Sequence, residues 1–178
     1  ILNRAYYGVK LLSTHDGIYT NAIFGFLNIL DRLVKEEKPD ALCVAFDLRA
    51  PTFRHLRYDG YKATRHPMPE ELAMQLPYMK DVLRAMNIPV FTCEGWEADD
   101  ILGTVGRLCG EHGWDCVIVT GDRDSLQLID EYVRVKLITT KETKLYDAQT
   151  FTDEYGFEPR RLIDLKSLMG DSSDNIPG

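Results

Sequence analysis

Residues 116–128 read CVIVTGDRDSLQL. An apolar, β-branched run stops at Thr120-Gly121 and delivers an acid, Asp122, at its end. A short continuous apolar run bounded by a turn reads as a strand buried on both faces, the habit of parallel sheets. A short helix is expected from Asp124. ALCVAFD (41–47) repeats the form and ends at Asp47, and IPVFTC (88–93) is a further strand. Between these runs lie helical patterns. Residues 21–36 place Ile23, Phe24, Leu27, Leu30, Leu33 and Val34 at helical spacing; residues 70–86 follow Pro67 and Pro69; residues 97–112 end at Gly113. YVRVKLIT (132–139) alternates and is expected as an edge strand, and short helices fit 147–155 and 159–169. Strands alternating with helices predict an α/β fold, a mostly parallel central sheet flanked by helices.

A chain of 178 residues suits a single domain, 1–178. No run approaches the roughly 18 apolar residues of a membrane span, so no membrane partner is expected. Cys43, Cys93, Cys109 and Cys116 show no CxxC spacing and sit in or beside apolar runs; buried thiols in a reducing cytosol are expected. The formal net charge of −7, taken in bulk, argues against a polyanionic partner.

The distribution of charge changes that conclusion. In a parallel sheet the strand C-termini share an edge, and ligands bind in the crevice outside it. Asp47 and Asp122 end strands, and the helix opening at GWEADD starts from the same edge. Asp47, Glu97, Asp99, Asp100, Asp122 and Asp124 are therefore expected to converge. GDSSDN (170–175) adds Asp171 and Asp174. Each piece has a plainer reading: acids in a first turn complement the helix dipole, Asp122 or Asp124 caps a helix, and Asp171 and Asp174 make Asx turns. Together, so many carboxylates raise one another's pKa unless counter-charge is supplied. Only Arg123 interrupts these motifs, so divalent cations are the expected neutraliser. Oxygen-only ligands suit Mg²⁺ or Mn²⁺, and two ions about 4 Å apart can stabilise both the attacking and the leaving oxygen of a phosphoryl displacement. The four histidines form no ligand pattern; His112 is expected as a dipole partner at a helix C-terminus.

Residues 48–69 (LRAPTFRHLRYDGYKATRHPMP) are long for a strand-to-helix connection, and long connections tend to carry function. Arg49, Arg54, Arg57, Lys62 and Arg65 are interleaved with Phe53, Tyr58 and Tyr61, and only Asp59 opposes them. Cations for phosphates and aromatics for splayed bases are the combination used on single-stranded nucleic acid. Of the 28 acids, setting aside the eight proposed ligands leaves 20 against 21 bases. The acidic total is then no obstacle to nucleic-acid binding.

ILNRAYYG (1–8), VAFD (44–47), PTFRH (51–55), YKATRHPMPEEL (61–72), EADDILG (97–103), VTGDRDSLQL (119–128) and LIDLKSLMGDSSDNIPG (162–178) together resemble the 5′→3′ exonuclease domains of bacterial DNA polymerase I, which are similar to the flap endonucleases. The resemblance covers essentially the whole chain. It implies a PIN-like 5′-nuclease fold in which 48–69 forms a basic helical arch. It implies a nuclease that cuts 5′ flaps, 5′ ends and RNA primers with two ions, Mg²⁺ or Mn²⁺, during replication and repair. The ligands would be Asp47, Glu97, Asp99, Asp100, Asp122, Asp124, Asp171 and Asp174, the GDSSDN pair serving the second ion. Lys62 and Arg65 would polarise the scissile phosphate, Tyr61 would stack on a base, and Arg4 and Arg54 would contact phosphates. A fused polymerase domain, a monomer and a bacterial cytoplasmic, nucleoid-associated setting are implied as well. Against the family pattern, a first strand with a further ligand Asp and a C-terminal helix-hairpin-helix are expected to be missing from this segment. Two other readings stand beside this one: a non-catalytic flap-binding module, and an HAD-like phosphatase, for which the DxDxT nucleophile motif is absent.

Overall fold

The computed structural model describes residues 1–139 and 141–178. The elements run α1 (Leu2–Gly8), α2 (Asn21–Glu37), β1 (Val44–Ala45), α3 (Phe53–Arg57), α4 (Glu70–Ala85), β2 (Val90–Phe91), α5 (Ala98–Glu111), β3 (Cys116–Thr120), a 3₁₀ turn (Arg123–Leu128), β4 (Val133–Ile138), β5 (Thr143–Tyr146), α6 (Ala148–Tyr155), a second 3₁₀ turn (Pro159–Arg161) and α7 (Leu162–Met169). The expected helices all form, with ends within two residues of their predicted places. The chain divides into two compact units, one of residues 1–44 and 67–91, the other of residues 45–66 and 92–178.

In the first unit α2 packs on α1 and α4. Its N-terminus is held from outside its own sequence. Gln75 of α4 is fully buried, and its Oε1 accepts the Ala22 and Ile23 N–H groups at 2.8 and 3.3 Å. Its Nε2 donates to Asn21 Oδ1 and to the Glu71 carbonyl. Thr20, the N-cap residue, makes no side-chain cap bond, so Gln75 supplies acceptors that a helix start ordinarily finds locally. β1 and β2 form a ladder of two residues each, with Val44 N–H donating to the Pro89 carbonyl at 2.9 Å. Val44 and Ala45 are half-buried and Phe91 is exposed, so these strands are shorter and wetter than their apolar runs suggest.

The second unit carries the larger sheet, ordered β3-β4-β5. β3 pairs parallel with β4, and β4 pairs antiparallel with β5. β4 is therefore central, not the expected edge. Arg134 and Lys136, whose charge made it look half-solvated, are half-buried and buried. β5 (TKLY) is a further strand that the sequence does not announce, because four residues with one aliphatic side chain give no periodic signal. The core gathers Ile118, Val133, Val135 and Leu137 from the sheet, Leu126 and Ile129 from the first 3₁₀ turn, and Tyr146, Phe151 and Leu162. α5 lies close on the sheet because Gly106 has no Cβ: one added there would stand 3.2 Å from Val133 Cγ2. None of the four cysteines is buried as expected: Cys93 is exposed, and Cys43, Cys109 and Cys116 are half-buried.

Gln75→Leu keeps the volume but strands two helix-start N–H groups in a buried site. It is expected to cost on the order of 2–4 kcal/mol, read as a lowered denaturant midpoint with unchanged slope. An unchanged midpoint would show that water satisfies those groups.

Candidate functional site: an acidic rim and its cations

The eight acids singled out from the sequence all lie in the second unit, at the end of β3, the start of α5, the turn after β1 and the loop after α7. α5 shows how the helix tolerates three of them. Glu97 is its N-cap residue, and Asp100 accepts the Glu97 N–H at 2.9 Å, closing a capping box. The next helical N–H, that of Ala98, donates to Asp47 Oδ1 at 2.7 Å. Asp122 caps the following turn, accepting the Asp124 N–H at 2.9 Å. Asp171 accepts the Ser173 N–H at 2.8 Å in an Asx turn. The plain structural readings are therefore literally true of Asp100, Asp122 and Asp171, and they use only part of each carboxylate; the Asp174 carboxylate accepts no described turn bond.

The remaining capacity meets cations that local sequence does not reveal. Arg54 forks onto Asp100, Nη1 to Oδ2 at 2.7 Å and Nη2 to Oδ1 at 2.8 Å. Lys62 Nζ donates to Glu97 Oε1 at 2.6 Å and Tyr61 Oη donates to Glu97 Oε2 at 2.9 Å. Arg65 pairs with Asp174. Lys166 of α7 bridges Asp124 at 3.0 Å and Asp171 at 2.7 Å. Arg123, the one base inside the motifs, turns instead toward the Tyr155 hydroxyl. The expectation that protein cations leave the rim uncompensated is thus corrected: the arch and α7 supply them from far along the chain. Lys166 is not among the residues that the sequence singles out. Its only signal was its place as the sole cation of LIDLKSLM, five residues before Asp171.

Three carboxylates are left over. Among the described residues no cation pairs with Asp47, Asp99 or Asp122. Water reaches Asp99, yet protein walls crowd it. This loss of solvation, then the charges of Asp122, Asp47 and Glu97, push its carboxyl up to about 6, with Lys62 pulling the other way. Asp124 is also raised, by burial first and with Asp122 adding, although Lys166 opposes the rise. Asp171 is held far below the usual carboxylate range by Lys166 and Ser173, and Asp100 is lowered by Arg54.

The arch is fastened to the GDSSDN loop. Lys62 N–H donates to the Asp174 carbonyl at 2.9 Å, Asn175 Nδ2 to the Gly60 carbonyl at 2.8 Å, and Arg65 Nε to the Ser173 carbonyl at 3.2 Å. Lys62 and Asn175 both stand in the left-handed region, at φ of 54° and 59°. Strained backbone on the two sides of one contact is a mark of functional geometry held by its surroundings. Gly170 is obligatory, since a Cβ there would lie 2.5 Å from backbone atoms of residues 176–178. Tyr61, expected to stack on a base, is 7% exposed and spent on Glu97, while Tyr58 is the exposed ring of the segment. Arg4 lies on α1 in the first unit. His112 caps α5, with Nδ1 2.8 Å from the Leu108 carbonyl, as expected.

The donor set suits a hard divalent ion. Every candidate ligand is a carboxylate oxygen, and Asp99, raised first by lost solvation and then by the charges of Asp122, Asp47 and Glu97, is a carboxyl whose rise added positive charge would relieve. Among the described residues no three His, Cys, Asp or Glu side chains are grouped closely enough to hold an ion as they stand.

Two outcomes follow for the metal-free protein. Raising a carboxyl to about 6 destabilises its charged form, so stability falls as pH climbs from about 4 through 6. Asp99→Asn removes that loss and is expected to raise the melting temperature in EDTA more at pH 8 than at pH 5. A pH-independent shift would overturn the account. Lys166→Met leaves Asp124 and Asp171 facing each other. It is expected to lower the melting temperature in EDTA and to recover in millimolar Mg²⁺; an equal loss in both buffers would reduce Lys166 to packing.

Comparison with known proteins places this arrangement. The family profile for the 5′-3′ exonuclease, N-terminal resolvase-like domain matches residues 1–156. The chain is 45% identical over its full length to the DNA polymerase I of Caldicellulosiruptor bescii, and 40% identical over 98% of its length to that of Bacillus subtilis. It spans only 21% and 20% of those proteins, about a fifth of each. Among solved structures, the bacteriophage T5 D15 protein co-crystallised with metal ions superposes with a TM-score of 0.71 at 26% identity, over 86% of this chain and 61% of that one. The same flap endonuclease in complex with DNA and metal ions gives 0.70. The catalytic core of Rad2, at 20% identity and a TM-score of 0.54, shares the fold. With its acidic rim, basic arch and βα succession, the chain belongs to the 5′→3′ exonuclease family, whose members have the PIN-like 5′-nuclease fold.

Proposed function

We propose that this chain hydrolyses phosphodiester bonds in DNA at 5′ ends and 5′ flaps, and in RNA primers, with two divalent ions, Mg²⁺ or Mn²⁺. The observation that carries the reading is the trio Asp47, Asp99 and Asp122, left without a cation partner among the described residues beside an arch rich in cations. The relatives named DNA polymerase I and the T5 flap endonuclease bound to DNA and metal ions support it. Asp47, Glu97, Asp99, Asp100, Asp122 and Asp124 would hold one ion, and Asp171 and Asp174 the second. Bound there, such ions supply Lewis acidity to the phosphate and let water attack at neutral pH.

The chain's own residues do the rest. Lys62 and Arg65 are parked on Glu97 and Asp174, and each can exchange its carboxylate for an oxygen of the scissile phosphate. The fastening of the arch to the GDSSDN loop keeps both cations at the rim during that exchange. Arg54 orients Asp100 through a two-pronged contact, and Arg4 and Arg54 are each candidates for phosphate contacts. Tyr61 steers Glu97 through its hydroxyl, so stacking on a base would require it to leave that bond. We further propose a monomer joined to a polymerase domain, 1–178 forming one nuclease domain that works on DNA in the bacterial cytoplasm, at the nucleoid. No described helix is long and apolar enough to cross a membrane.

The test is cleavage of a labelled 5′-flap duplex by the polypeptide that carries this chain. Asp122→Asn is expected to cut about 100-fold or more slowly in Mg²⁺, with flap affinity in Ca²⁺ retained. Cutting at the wild-type rate would sink the assignment. Tight flap binding in Ca²⁺ with no cutting by wild type in Mg²⁺ or Mn²⁺ would favour a binding module.

A further inference from the structure

With Arg54, Lys62 and Arg65 all committed to carboxylates, the arch still presents two guanidiniums without an ion pair among the described residues, those of Arg49 and Arg57, and of the two only Arg57 lies against an aromatic ring. Arg57 is exposed and lies over the Phe53 ring, 5.6 Å from its centroid, and Arg54 lies over the same ring at 4.6 Å. Phe53 in turn packs against Trp96, with ring centroids 4.9 Å apart and planes tilted by 53°. The pair is fixed by backbone, since Phe53 N–H donates to the Gly95 carbonyl at 2.9 Å. Trp96 nevertheless leaves 49% of its surface open to water. A large indole held in place and open to water, packed on a ring that also carries an unpaired guanidinium, has the makings of a nucleotide subsite. Every base has a π-face to lay on the indole, and a phosphate can reach Arg57. Trp96 directly precedes Glu97, so a base placed there lies beside the acidic rim.

We propose that Trp96, supported by Phe53, stacks one unpaired base of single-stranded nucleic acid while Arg57 holds a neighbouring phosphate. This rests on the nuclease reading for its biological sense and deepens it by naming where the strand near the cut is gripped. Geometry favours single strands over duplex, because a flat, exposed ring needs a base face that a stacked duplex does not offer. It also favours weak sequence preference, since stacking on an indole face accepts any base.

The experiment titrates the chain, carrying Trp114→Phe so that Trp96 is the only indole, with a 5′-phosphorylated oligothymidylate in EDTA at low salt. A parallel series uses the same backbone with abasic units. Trp96 emission is expected to be quenched by the base-bearing strand and not by the abasic one, whose affinity is about fivefold or more weaker. Trp96→Ala should lower affinity for the base-bearing strand to the abasic level, and Trp96→Phe should restore much of it, which a merely misfolded variant cannot do. Arg57→Ala should weaken both strands to a similar degree. Equal affinity for the two strands, unquenched emission on saturation, or no binding at all overturns the subsite. Flap cleavage in Mg²⁺ without quenching sinks the subsite and leaves the nuclease reading intact. Quenching with no cleavage sinks the nuclease reading and keeps the subsite.

Discussion

Carboxylates crowded along one wall repel one another, and the second unit is organised around that repulsion. Five of the eight acids, Glu97, Asp100, Asp124, Asp171 and Asp174, are met by Arg54, Lys62, Lys166 and Arg65. The pairing is economical, because Lys166 serves two acids and the four cations come from two segments only. It also has a structural product. The cations draw the arch and α7 against the start of α5 and the turn after β3, so charge compensation fixes where these elements lie within the unit. What compensation leaves behind, Asp47, Asp99 and Asp122, is the part of the rim that still favours added positive charge, as the raised Asp99 shows.

Helix capping and metal binding make the same demand on these residues. A first turn offers unpaired N–H groups and a positive dipole end, which lets Glu97, Asp99 and Asp100 begin α5 at all. Asp47 and Asp122 each accept one backbone N–H, a bond that sets the direction of the carboxylate without using all its lone pairs. The backbone thus holds the acids in place while leaving ligand capacity free. An acid that caps a helix and an acid that ligates an ion are therefore not competing readings of this chain.

Exposure separates the arch residues in a way that composition could not. Tyr61 and Tyr58 look alike in YDGYK, yet Tyr61 is buried on Glu97 and Tyr58 faces water. Trp96 reads in sequence as the bulky neighbour of an acidic cluster, and only its packing on Phe53 marks it as a fixed platform. Lys62 and Arg65 look like freely available phosphate ligands, and in the fold each is held by an acid that a phosphate must displace.

The sequence by itself determined the helices, the strand ending in VTGD, the acid set and the basic insertion, because periodicity, turn residues and charge are local and survive without knowledge of the fold. It misjudged β4, whose Arg134 and Lys136 imitate a solvated face, and missed β5, too short to show a period. It could not supply the pairing of Arg54 with Asp100, 46 residues away, of Arg65 with Asp174, 109 residues away, or the double duty of Lys166. Those partners are chosen by distances of a few ångströms across loops of tens of residues. Electrostatic energy depends on that separation and on how much water lies between, and neither quantity exists until the chain has folded.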